Sequence, residues 1–143
     1  MSLGLFIVQL TNVTRESKAK TRVLVVDDEP RILRFVSLSL TSQGFDVLAA
    51  SSGEEGLRMA ASEKPDVMIL DIFMPGMDGF GVLRKLRERE RHDGSSYLPV
   101  IVFSARSSIA EEAIVLGATD FISKPFMPED MADRIRVAVS NAI

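Results

Sequence analysis

A chain of 143 residues, 46% of them apolar, holds enough hydrophobic side chains for one core and is short for two ordinary domains. Its 17 basic and 20 acidic residues give a net charge of -3, without the basic excess of a nucleic-acid-binding surface. The absence of Cys excludes disulfides, thiolate zinc sites and Cys nucleophiles, and the single His92 cannot build a multi-histidine metal site; such a composition suits a reducing cytoplasm.

In chain order, the apolar stretch Leu3 to Leu10 falls well short of the ~20 residues of a membrane span and has no signal-peptide flanks, so no membrane partner is expected. Met1-Ser2-Leu3 reads as a cloning scar and the polar run Thr11 to Lys20 as a tether, which makes residues 1–20 an extension and residues 21–143 the domain. Residues 4–10 are expected to dock on that domain as an extra strand or helical turn. From Thr21 onward, continuous apolar runs alternate with helical spacing. Val23 to Val26 reads as a buried strand, and Ile32, Leu33, Val36 and Leu40 mark a helix over 30–43 that stops at Gly44. Phe45 to Ala49 is a weaker strand. Ser52-Gly-Glu-Glu55 is a capping-box pattern opening a helix over 53–62, which Pro65 ends. Val67 to Leu70 is a third strand; a third helix over 79–90 then gives way to a polar loop from Arg91 onward. Val100 to Phe103 is a fourth strand, Ser108-Ile-Ala-Glu111 the start of a helix ending at Gly117, and Thr119 to Ile122 a fifth strand. The last helix begins at Pro128, a residue suited to the first helical position.

Five strands, each followed by a helix, predict an α/β fold: an open, doubly wound five-stranded parallel sheet, (βα)5, with the flavodoxin-like strand order 2-1-3-4-5. Ligands of such sheets bind beyond the carboxyl ends of the strands. Those ends carry Asp27-Asp28-Glu29, Asp71, Ser104 and Lys124-Pro125. Clustered carboxylates repel unless a cation sits among them, and oxygen ligands without His or Cys favour Mg²⁺. Lys124 is placed to neutralise a phosphoryl group held there, Ser104 to donate to one of its oxygens, and Asp71 to act as nucleophile. Each residue also has a plainer reading: Asp27-Asp28-Glu29-Pro30 as a helix cap, Lys124 as a surface lysine, Ser104 as a turn residue. Their coincidence at four strand ends of one edge favours the functional reading.

Residues 22 to 142 resemble the receiver domain of two-component response regulators. The resemblance rests on Val25-Val-Asp-Asp-Glu-Pro30, Leu70-Asp-Ile-Phe-Met-Pro-Gly-Met-Asp-Gly79, Val102-Phe-Ser-Ala105 and Ser123-Lys-Pro-Phe126, all in order. It implies that Asp71 accepts a phosphoryl group from a histidine kinase or histidine phosphotransfer protein. It further implies that Asp28 and Asp71 ligate Mg²⁺, Asp27 mainly through a water and Phe73 by its backbone carbonyl. Ser104 and Lys124 would bind phosphoryl oxygens, Ser104 and Phe121 would form the switch, and the Lys124-Pro125 bond would be cis. The domain would catalyse only its own phosphorylation and dephosphorylation. Three departures stand out: Phe121 where Tyr is common, Met127 where a capping Ser is common, and a long polar loop from Arg91 to Pro99.

Two other classes fit less well. A phosphatase of the haloacid dehalogenase type needs a second Asp two residues after the nucleophile, where Phe73 cannot transfer a proton. A flavodoxin-like FMN carrier needs a phosphate loop where Asp27-Asp28-Glu29 would repel the phosphate. The face made by the fourth helix, fifth strand and fifth helix carries Glu111, Glu112, Asp120, Asp133, Arg134 and Arg136. It reads either as a solvated surface or as a homodimer interface in which Asp120 of one chain meets Arg134 of another. Phe73 and Arg106 flank the approach to Asp71, as a gate against water or as two solvent-facing side chains.

Overall fold

The computed structural model describes residues 19–142. The expected scar at 1–3, the docking of residues 4–10 and most of the 1–20 extension lie outside the described residues. Strands and helices alternate: β1 (Arg22–Val26), α1 (Pro30–Ser42), β2 (Asp46–Ala50), α2 (Gly53–Glu63), β3 (Val67–Asp71), α3 (Gly79–Asp93), β4 (Val100–Ser104), a 3₁₀ turn (Ser107–Ile109), α4 (Ala110–Val115), β5 (Asp120–Ser123) and α5 (Pro128–Asn141). The strands are parallel throughout and ordered β2-β1-β3-β4-β5. Among the described residues no helix is long and apolar enough to cross a membrane.

The continuous apolar runs follow from helices on both faces, since successive side chains of a strand point to opposite sides and both sides are covered. Val23, Val25, Ile69, Ile101 and Phe103 meet Val36 and Leu40 of α1 and Met131 and Ile135 of α5. Leu24, Val26, Met68, Leu70 and Val102 meet Leu57, Val82, Leu83 and Ala113 on the opposite face. Full burial of each such aliphatic side chain contributes about 1.5–3 kcal/mol.

Helix ends show where local chemistry governs. Ser52 accepts the Glu55 N–H at 3.1 Å, the first half of the capping box. Pro30 and Pro128 stand at the starts of α1 and α5, and neither Glu29 nor Met127 caps its helix through a side chain. α1 ends one residue before the predicted stop, with Gln43 as its cap and Gly44 just beyond at φ 96°. Lys64, at φ 48°, closes α2 ahead of Pro65. β2 starts one residue later than its apolar run because the Phe45 N–H bonds the Leu40 carbonyl of α1. The Ser108 start signal fails: Ser108 lies inside the 3₁₀ turn, and α4 has no side-chain cap.

The third helix outruns its apolar spacing by three residues. It continues to Asp93, where Gly94 takes up φ 65°, a conformation costly for side chains with a Cβ. Its polar end is held by buried Arg87. That guanidinium donates to Glu90 Oε1 at 2.7 Å, the Leu98 carbonyl at 2.8 Å and the Gly117 carbonyl at 3.0 Å. The Tyr97 ring lies 4.2 Å from it. The expected Arg91–Pro99 loop therefore shrinks to the segment after Gly94.

Candidate functional site

Parallel strands deliver their carboxyl ends to one edge, with Asp27 and Asp28 following β1, Asp71 closing β3, Ser104 closing β4 and Lys124 following β5. Asp27 is only 1% exposed. Its N–H donates to the Ala50 carbonyl at 3.1 Å and its Oδ1 accepts the Glu29 N–H at 2.9 Å, so it also orders the turn into α1. Asp27, Asp28 and Asp71 each bring a carboxylate oxygen within 4.8 Å of the others. The Lys124 ammonium donates to Asp27 Oδ2 and Asp71 Oδ1, both at 3.3 Å.

Asp71 is 6% exposed. Burial first, and then the neighbouring Asp27 charge, push its carboxyl up from 3.8 to about 6; Lys124 and the Ile72 backbone N–H pull the other way without prevailing. Access to this side chain depends on a tight turn. A Cβ at Gly79 would collide with the Asp71 carbonyl oxygen and with Ile72, and the Gly79 N–H bonds the Ile72 carbonyl at 2.8 Å. Oxygen donors without His or Cys fit a hard divalent cation such as Mg²⁺.

Asp71 opens into a cleft of about 530 Å³, with Asp28, Phe73, Ser104, Arg106 and Lys124 among its walls. Ser104 Oγ accepts the Arg106 N–H at 3.2 Å, and the Ser104 carbonyl accepts the Lys124 N–H at 2.9 Å. The Lys124-Pro125 peptide is cis. Phe73 and Arg106 are not independent solvent-facing groups, because the guanidinium stacks 4.6 Å from the Phe73 ring centroid. Phe121 is half-buried against the core beneath α3 and α4. Its register partner is Val102, on the face that Ser104 continues. Arg134 reaches both oxygens of Asp120 at 3.1 Å within one chain, on the face that the sequence left open as a solvated surface or a bridge between two chains.

One residue at the site escaped the sequence reading. Phe103, the register partner of Asp71, lies with its ring centroid 4.3 Å from the Lys124 ammonium. Within an apolar strand run it reads as core, and nothing near it in sequence signals its contact with Lys124.

A five-stranded doubly wound parallel sheet with three carboxylates and a lysine at its carboxyl edge has the layout of a signalling receiver. The profile of the response regulator receiver domain matches residues 23–136, and the chain belongs to that family, the receivers of two-component signalling. It is 45% identical over 121 residues to the transcriptional regulatory protein KdpE of Mycobacterium tuberculosis, covering 83% of this chain and 51% of that one. With the transcriptional regulatory protein TrcR of the same species it shares 36% over 130 residues, covering 90% and 49%. The chain thus spans about half the length of these curated relatives. Among solved structures, the chemotaxis protein CheY4 of Vibrio cholerae superposes with a TM-score of 0.75 at 30% identity, over 84% of this chain and 99% of that one.

Proposed function

We propose that this receiver accepts a phosphoryl group on Asp71 from a histidine kinase or histidine phosphotransfer protein. We further propose that it then alters the surface of α4, β5 and α5 to control an output domain or partner. The observation that carries the reading is the Lys124 ammonium bridging Asp27 and Asp71 at 3.3 Å beside a third carboxylate. An Asp71 oxygen attacks phosphorus, the P–N bond of the donor phosphohistidine breaks as the P–O bond of an acyl phosphate forms, and the released imidazole keeps the electron pair. Attack needs the ionised carboxylate, a form that burial and the Asp27 charge disfavour in the metal-free chain and that a bound divalent cation would favour. Asp28, Asp71 and the Phe73 carbonyl would hold Mg²⁺, Asp27 acting through a water. The metal's charge would offset the repulsion between the carboxylates and the incoming group. Lys124 and the Ser104 hydroxyl bind the phosphoryl oxygens.

The signal leaves through Ser104. A phosphoryl oxygen draws its hydroxyl toward Asp71, which favours a packing in which Phe121, beside Val102 on the same face, moves inward. Phe121 has no hydroxyl, so its contribution is packing alone. Acetyl phosphate or phosphoramidate with Mg²⁺ should add one phosphate. Undiminished labelling of Asp71→Asn, or labelling that survives EDTA, would refute the reading.

A further inference from the structure

We infer that Phe103 is a positioning residue for the phosphoryl-binding lysine: its ring is the platform that keeps the Lys124 ammonium over Asp71. The inference rests on the reading of Asp71 as phosphoacceptor and extends it to a side chain that touches neither metal nor phosphate.

Lysine carries its charge on a flexible four-carbon stem, and holding that charge at one point sacrifices rotamer freedom. Here the Lys124 side chain is only about one-fifth exposed, and its ammonium has two carboxylate oxygens on one side at 3.3 Å. Its third neighbour is the face of Phe103, 4.3 Å away. A ring face carries negative electrostatic potential and attracts a cation, most strongly where water is excluded. Phe103 is 0% exposed.

Register explains the placement. In a parallel ladder Asp71 and Phe103 are partners and point to the same side of the sheet, so the ring borders the carboxylate that the ammonium serves. The ring is itself fixed. Phe126, just beyond the Lys124-Pro125 peptide, meets it edge-on at 6.4 Å and 86°, and Phe126 in turn rests against Phe35 of α1 at 5.9 Å. An aliphatic residue at 103 would fill the same core volume but present no such face. When Asp71 becomes an acyl phosphate the negative charge passes from the carboxylate to the phosphoryl oxygens, and the lysine must transfer its hydrogen bond to one of them. The ring keeps the ammonium in place through that exchange.

Two readouts test the inference. In the metal-free protein, ring current should displace the Lys124 ε-proton resonances upfield in wild type, and Phe103→Leu should return them to ordinary lysine positions. Replacing Phe103 by fluorinated phenylalanines, which keep the shape of the ring while draining its negative face, should slow phosphorylation by acetyl phosphate at saturating Mg²⁺ in steps. The most fluorinated ring should be slowed about fivefold to tenfold, with Mg²⁺ affinity and thermal midpoint unchanged. Rates that stay flat across the folded series, or ordinary Lys124 resonances in wild type, would overturn the inference. If wild type accepts no phosphate at all, the proposed phosphoacceptor role falls, while the ring-current readout still decides whether Phe103 holds Lys124.

Discussion

Replacing Asp71 by Asn should stabilise the metal-free protein at neutral pH, although it removes the proposed phosphoacceptor. Burial and the Asp27 charge raise the folded-state carboxyl from 3.8 to about 6. At ~1.4 kcal/mol per tenfold change in proton affinity, the ionised form therefore costs the fold about 3 kcal/mol. Between those two values the folded chain holds a proton that the unfolded chain has lost, so the contribution of Asp71 to stability falls as pH rises through the window. Asn is near-isosteric and uncharged and escapes this loss. Urea denaturation in EDTA, run from pH 4 to 7.5, should show the variant pulling ahead of wild type by about 2–3 kcal/mol at the upper end. At an m-value of about 1.5 kcal/mol/M, that moves the midpoint by about 1.3–2 M. Mg²⁺ should close the gap: at 100 times its Kd it stabilises the chain that binds it by about 2.7 kcal/mol, close to the whole difference, and the variant lacks one ligand. A stability difference that is flat with pH, or a wild type that gains on the variant as pH rises, would refute the electrostatic account of this cleft.

Phe73→Asn should lose phosphate about tenfold faster than wild type, equivalent to ~1.4 kcal/mol of barrier, because an amide orients the attacking water that the Phe73 ring and the stacked Arg106 obstruct; single-turnover hydrolysis at equal Mg²⁺ decides it. Ser104→Ala should still be phosphorylated, yet beryllofluoride with Mg²⁺ should no longer shift the NMR resonances around Phe121. Shifts confined to the cleft in wild type would count against the switch. Arg87→Ala should lower unfolding free energy by about 3 kcal/mol or more, since it strands Glu90 and two carbonyls in a buried setting, and chemical denaturation measures this directly.

The sheet was legible because its strands are covered on both sides: the continuous runs at Val23, Val67 and Val100 have no other simple reading. The acidic edge was legible for the same geometric reason, since parallel strands must bring their last residues together. The end of α3 was not. Its last turns carry almost no apolar spacing, and what extends them is Arg87 reaching carbonyls at Leu98 and Gly117, a tertiary contact that no local window contains. Ser108 failed as a start signal because the chain enters α4 through a tighter turn that uses that residue within it. Phe103 lay hidden for a third reason. A ring face acquires its role through its partner, and Lys124 is far from Phe103 in sequence; Arg106 was placed beside the approach to Asp71, but its stacking on Phe73 was not legible there.

The pairing of Asp120 with Arg134 inside one chain bears on how two copies of this surface could meet. Each charge already has its counterpart, so trading the bond at home for one across a two-fold axis exchanges like for like and leaves the electrostatic account level. Such a trade fixes how the copies line up and contributes little to how tightly they hold. Tightness would have to come from the uncharged ground around it, where Ile114, Val115 and Val137 stand in solvent. Mutating either ion would then leave a copy-to-copy contact of similar strength but looser alignment, whereas a polar residue at Val115 or Val137 would weaken it outright.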